Sequence, residues 1–206
     1  MTHKSVLAAA FALAFLQTGQ AAAQLPPGVY AGQSDYRLAP PGAYALDPAH
    51  TAVIAKVSHI GYSLSVFRFD RPTGTLTWDP EHLDRSSLDV AVDVASISTP
   101  VPGFATELSG DEYLQTAAFP KATFVSTAVH RIDATHGRVD GRFTLMGKTR
   151  PLSFDVVLEG AGKGFMGHPR IGAEATAAID PKDYGLPPVF SAPIQLVIDA
   201  EFAKSS

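Results

Sequence analysis

Past residue 43 the chain alternates apolar and polar side chains with a period of two. Over residues 51–59 the odd positions are Thr51, Val53, Ala55, Val57 and His59, and the even ones are Ala52, Ile54, Lys56 and Ser58. Successive strand side chains point to opposite faces, so Lys56 marks a wet face and Val53, Ala55 and Val57 an apolar one. The same period returns in Leu76 and Trp78 against Thr75 and Thr77, and in Leu88, Val90, Val92 and Val94 against Asp89, Ala91 and Asp93. It returns again in Leu152, Phe154, Val156 and Leu158, in Ile171, Ala173, Ala175, Ala177 and Ile179, and in Ile194, Leu196, Ile198 and Ala200. Each run predicts a half-buried antiparallel strand. Strands at short spacing, joined by Gly, Pro and Asp, predict an all-β sandwich or barrel.

One stretch breaks the period. In "LSGDEYLQTAAFP" Ser109 stands three residues before Glu112, the spacing of a capping box. Asp111 and Glu112 would occupy the acid-favouring first turn, and Tyr113, Leu114, Ala117 and Ala118 make a narrow apolar stripe ended by Pro120. One short helix starting near Ser109 is expected. Residues 24–42 hold two Pro-Pro pairs and no clear period, which reads as an extended leader ahead of a domain over residues 43–206.

The amino terminus narrows the class. Residues 1–23 begin with a basic start at Lys4, continue in an apolar run over residues 6–16 and end in Ala21, Ala22 and Ala23. That is the layout of a secretory signal peptide, and the run is shorter than the about 20 apolar residues a membrane span requires. Export to the periplasm is the expectation. The chain has no cysteine, which removes a lipoprotein anchor, disulfides, thiol catalysis and zinc–sulfur sites together. Cleavage after Ala23 would take away Lys4 and no acid, moving the formal charge from −4 to −5. A mildly acidic chain without basic clusters argues against nucleic acid and against anionic membrane surfaces. About 180 residues without disulfides must rest on a core, and that length can bury one.

Catalytic and metal signatures are sparse. None of the seven histidines has a metal-binding spacing; His50 and His59 lie nine apart, and no His-Glu-x-x-His occurs. There is no Gly-x-Ser-x-Gly elbow and no dinucleotide fingerprint. "GAGKGFMG" over residues 160–167 lacks the Gly-Lys-Ser/Thr ending of a phosphate loop and reads as a hairpin tip. His59 could serve as a general base, could meet a ligand's polar head, or could be a strand-end histidine satisfied by the backbone. Ala55, Ala173, Ala175 and Ala177 fall on proposed inner faces. Small inner residues either match bulky partners such as Phe124, Phe143 and Phe154 or leave room for a ligand, and the pattern alone leaves both open.

Several blocks, in order, resemble the YceI-like family. They are "YALDPAHTAVIAKVSHIGYS" from residue 44, "ASIST" from 95, "FPKATFVST" from 119, "GRFTLMGKTRPLSFDVVL" from 141 and "DYGLP" from 183. The match covers nearly all of residues 44–202. This resemblance implies an all-β, lipocalin-like antiparallel barrel of about eight strands with one short helix beside its mouth. It also implies a non-catalytic exported carrier that threads a long isoprenoid, polyprenyl or quinone-type, through an apolar interior. On that reading the ligand-binding residues are Val53, Ala55, Val57, His59, Leu76, Trp78, Phe143, Phe154 and Leu158, with no metal and no cofactor beyond the bound lipid.

Three positions depart from the family. Ala55 stands where Phe is common, "FATEL" (residues 104–108) replaces a block with an Arg and a His, and Pro181 stands where an Arg is usual. Arg is the side chain best suited to a bidentate polar contact. Tail burial therefore carries over from the family and head-group recognition does not. The departures are similar to the branch that accompanies membrane b-type cytochromes, so an accessory module for such a cytochrome is the alternative reading. An enzyme using His59 with Tyr113, Tyr184 or Asp183 is the third. Monomer and dimer are both open.

Overall fold

The structure, a computed structural model, describes residues 25–205. The expected signal peptide over residues 1–23 lies outside the described residues. Eleven β segments follow eight paths around a closed antiparallel ring. The first path is β1 (Gly42–Leu46) continued by β2 (Ala52–His59), the second β3 (Ser63–Phe69) continued by β4 (Pro72–Trp78), and the third β5 (Ser87–Asp93) continued by β6 (Ile97–Ser98). Single strands complete the ring: β7 (Lys121–Arg131), β8 (His136–Leu145), β9 (Lys148–Gly162), β10 (Arg170–Ile179) and β11 (Ile194–Lys204). Each path pairs with the next, and β11 returns to pair with both β1 and β2. Closure satisfies the edges that an open sheet of this size would leave bare. The expected barrel is the observed one.

The first three paths break at one level, where polar side chains replace ladder bonds. Asp47 accepts from the Ala49 N–H, and Pro48 opens a 3-10 turn over Pro48–His50. Asp93 accepts from the Ala95 N–H to start a second 3-10 turn over Val94–Ser96. The Ser96 hydroxyl accepts from the N–H groups of Asp70 and Arg71, at 3.0 and 3.2 Å, tying the second break to the third. Side-chain capping of this kind lets a strand bend without orphaning its backbone groups.

The upper end of the barrel carries the β2–β3 turn, residues 99–120, the β8–β9 turn and residues 180–193. The lower end carries residues 25–41 and the β4–β5, β7–β8 and β9–β10 connections. The core divides accordingly. An upper cluster gathers Val94, Ile97, Leu108, Met146 and Tyr184; a lower one gathers Ala39, Tyr44, Trp78, Ala161 and Phe202.

Two expectations need correction. The helix ends where it was expected to begin: α1 is Phe104–Ser109. The Ser109 hydroxyl donates to the Ala105 carbonyl four residues back at 2.8 Å instead of capping a following helix. Residues 110–118 form turns, with Gln115 in the left-handed region at φ 50°. A second helix, α2 (Pro181–Tyr184), is started by Asp180 accepting from the Lys182 N–H and stopped by Gly185 at φ 81°. Asp before Pro, with Gly past the end, was the legible signal for it.

The leader is docked across the lower end, not extended. Gln33 bridges Ala161, and Gly32 meets Gly160 so closely that a side-chain carbon at either would press on the other's backbone. Ala39 and Tyr44 are fully buried, and the Tyr44 hydroxyl donates to the Pro40 carbonyl at 2.6 Å. Burial pushes that hydroxyl up to about 12. Part of the leader therefore packs on the barrel's lower end.

Candidate functional site

Between the two core clusters lies a cavity of about 350 Å³ inside the barrel. Its walls come from the inward positions of the period-two pattern. Val53, Ala55 and Val57 line it from β2, Leu76 and Trp78 from β4, Phe143 from β8, and Phe154 and Leu158 from β9. Leu88, Val90, Ala173, Ala175, Leu196 and Ile198 add to the same lining.

Ala55 owes its place to its neighbours. It pairs directly with Phe67 on β3 and with Leu196 on β11, both inward, so a small residue sits between two bulky ones. Gly141 does the same on the far wall, where a Cβ would overlap the Phe124 ring. That absence lets Phe124 pack edge-on against Phe154, ring centres 5.0 Å apart. Edge-to-face pairs of this kind stabilise by about 0.5–1.5 kcal/mol beyond their buried area.

His59 does not belong to the lining. The inner row of β2 ends at Val57; His59 lies one position beyond the wall, exposed at the rim. The chain turns away there through Ile60 and Gly61, both at positive φ, and the Tyr62 N–H closes the turn on the His59 carbonyl. The sequence parity was right and the wall's height was not legible from it. Nor does any hydrogen bond among the described residues join His59 to Tyr113, Tyr184 or Asp183. The Tyr113 hydroxyl meets Glu107 at 3.4 Å, and the Tyr184 ring packs against Phe143.

The ends supply lining that periodicity did not find. Leu108, Tyr113, Leu114, Leu186 and Phe190 cover the upper end, and Tyr36 and Leu83 reach in from the lower one. Tyr36 stands edge-on to Trp78 at 6.1 Å, and the indole nitrogen is buried without a hydrogen-bond partner. Tyr113 and Leu114 belong to the expected helical stripe; the other end residues sit in segments without a period, so only their apolar character could have pointed to them.

Among the described residues, Asp, His and Arg side chains reach the cavity only near the β7–β8 connection, where each has a polar partner. His130 meets Asp140 at 3.0 Å and His136 meets Asp133 at 2.9 Å. Arg131 donates to the Tyr36 hydroxyl at 3.1 Å, and Arg138 meets Asp155 at 3.3 Å. Backbone N–H groups of Thr135 and His136, with the His136 ring, hold the Asp133 carboxyl at about 2. A second charge cluster pins the break in the first path: Arg170 bonds Asp47 at 2.7 Å and also Glu201. Arg170, then His50, lowers the Asp47 carboxyl to about 2.

The model of the YceI-like domain matches residues 44–202, most of the chain and the whole wall of the cavity. The chain belongs to the YceI-like family. A UPF0312 protein of Pseudomonas putida (strain W619) is 30% identical over 99% of both chains. Among solved structures, Burkholderia cenocepacia BcnA is 19% identical, with a TM-score of 0.68 over 76% of this chain and 98% of that one. A polyisoprenoid binding domain from Saccharophagus degradans, implicated in plant cell wall breakdown, is 14% identical, with a TM-score of 0.60 over 79% and 98%. At these identities the structures share the fold. Two departures from the family now have places: "FATEL" forms most of α1, and Pro181 is the buried first residue of α2.

Proposed function

We propose that the protein is a non-catalytic periplasmic carrier that takes the tail of an uncharged isoprenoid, polyprenyl or quinone-type, into its barrel. The observation that carries this reading is the closed wall of apolar side chains around a cavity of about 350 Å³. Pockets of about 300–1,000 Å³ are the usual size for small-molecule sites. Burying about ten methylene-sized units contributes roughly 8 kcal/mol gross. Association and ordering cost several kcal/mol of that, so micromolar affinity is expected. Away from the β7–β8 connection the described lining holds no Asp, Glu, His, Lys or Arg, which favours an uncharged ligand. The kinship to a polyisoprenoid binding domain supports the ligand class.

Native mass spectrometry of the protein purified from its host tests this directly. The expected result is a chain beginning at or near Gln24 with a co-purified neutral lipid. Empty protein that also fails to bind a fluorescent isoprenoid analogue would overturn the carrier reading, and full-length cytosolic protein would overturn export.

A second reading, an accessory module of a membrane b-type cytochrome, draws support from the leader. Leu25, Tyr30 and Leu38 are half exposed there, although Ala39 of the same segment is fully buried. Co-purification of a b-type haem protein that is lost on replacing those three side chains with Ser is its test.

A further inference from the structure

Both ends of the barrel carry charges, but the upper one keeps them out of three segments. At the lower end the connections between strands hold Asp79, Glu81, Asp84, Arg85, Asp133 and Lys163. At the upper end, three segments carry no Asp, Glu, Lys or Arg at all: residues 59–67, 95–106 and 184–198. They lie together. Phe67 packs on Phe104, and a groove beside the β2–β3 turn is formed by Ile60 and Gly61 on one side and Val189, Phe190 and Ala192 on the other. The charges of that end, Glu107, Asp111, Glu112, Lys121, Lys148, Asp180, Lys182 and Asp183, belong to other stretches and are of both signs.

These uncharged segments expose large apolar side chains. Ile60 is 80% exposed, Tyr62 88%, Val189 70% and Val101 55%. The β2–β3 hairpin also stands clear of the wall, because β6 pairs only with Arg68 and Phe69 and leaves the tip without a second neighbour. Ile60 is doubly anomalous for folding. It is β-branched yet sits at φ 53°, where Gly or Asn is at ease, and it buries almost nothing. A folded domain gains nothing from an isoleucine there. An apolar partner does.

We propose that the face made by these uncharged segments docks on the surface of a lipid bilayer, with Ile60, Tyr62, Val101 and Val189 entering the head-group boundary. Shallow burial of a few apolar side chains is how interfacial proteins hold to membranes, and Tyr suits that boundary. The absence of charge fits a zwitterionic surface and spares the cost of dehydrating ions. The docking face is continuous with the interior, since Val57 and Phe190 border both the groove and the cavity. An isoprenoid leaving the bilayer at this point meets Phe190 as the side chain between membrane and barrel. That last step rests on the carrier reading; the docking itself does not.

The test is flotation of the host-purified protein with vesicles of phosphatidylcholine, read alongside thermal melts. Wild type floats, its partition is unaffected by salt, and added anionic lipid does not improve it. Ile60→Asn, which suits the left-handed position, lowers the partition roughly tenfold, and Ile60→Asn with Tyr62→Ser roughly a hundredfold. The melt of Ile60→Asn stays level or rises, which separates loss of docking from loss of fold. Uptake of dansyl-farnesol from the vesicles slows in both variants, while uptake from cyclodextrin solution is unchanged. Wild type that does not float, or Ile60→Asn that floats as well as wild type, overturns the docking proposal. Docking without uptake from either source overturns the carrier reading and leaves the docking face standing.

Discussion

Ala55→Phe separates a ligand cavity from a packed core. Ala55 faces the cavity between Phe67 and Leu196, and a benzyl group there has nowhere to go but inward. A cavity of roughly 150 Å³ houses a benzene ring, so the new ring takes on the order of two fifths of the 350 Å³. It displaces about one isoprene unit, five carbons, worth roughly 4 kcal/mol gross at about 0.8 kcal/mol per methylene. A flexible chain repacks and recovers part of that, leaving affinity about tenfold to a hundredfold weaker. Stability moves little, because the ring fills apolar space and gains an aromatic neighbour in Phe67, an increment of about 0.5–1.5 kcal/mol. Were the interior packed solid, the added ring would cost about 1–3 kcal/mol in strain. A chain of this size would then melt roughly 2–10 °C lower. Binding of dansyl-farnesol, measured beside a thermal melt, reads both quantities. Unchanged binding with a clearly lowered melting temperature refutes the reasoning.

Three further outcomes follow from the geometry. His59→Ala should leave isoprenoid affinity unchanged in the same assay, since the lining of β2 ends at Val57; a tenfold loss would return His59 to the site. Asp47→Asn should cost about 2 kcal/mol at neutral pH, because the folded carboxyl lies at about 2 against 3.8 unperturbed. A depressed folded value stabilises above the unfolded one, so the gap between wild type and variant in urea melts should close as pH falls from about 4 to about 2. Tyr36→Ala should shift the emission of Trp78, the chain's sole tryptophan, to the red and lower stability by roughly 1–3 kcal/mol; unchanged emission would mean the leader does not cover the lower end.

Alternation along a strand is a local property, and what depended on it was legible. The inward rows of β2, β4, β9, β10 and β11 follow from residues two apart, and so does the sidedness of seven of the nine proposed lining residues, while Phe143 entered through the family resemblance. Where a row stops is a different matter. Val57 and His59 share a face, but the wall ends between them because β11 pairs with β2 no further than Lys56 and β6 reaches only Arg68 and Phe69, leaving the hairpin tip without a flanking strand. Ser109 and Glu112 have the spacing of a capping box, yet the Ser109 hydroxyl is taken by the Ala105 carbonyl of a helix that precedes it. The leader has no period to read, and its burial depends on Gly160, more than a hundred residues away, being small enough to receive Gly32. Whether Ala55 fronts a void or a packed neighbour is decided by side chains on β3 and β11 and by the caps at both ends. The sequence by itself determined the strands and their faces, through the two-residue repeat of the extended backbone. Only the tertiary structure decided the height of the wall, the closure of its ends and the space left inside, because each is set by contacts between segments far apart in the chain.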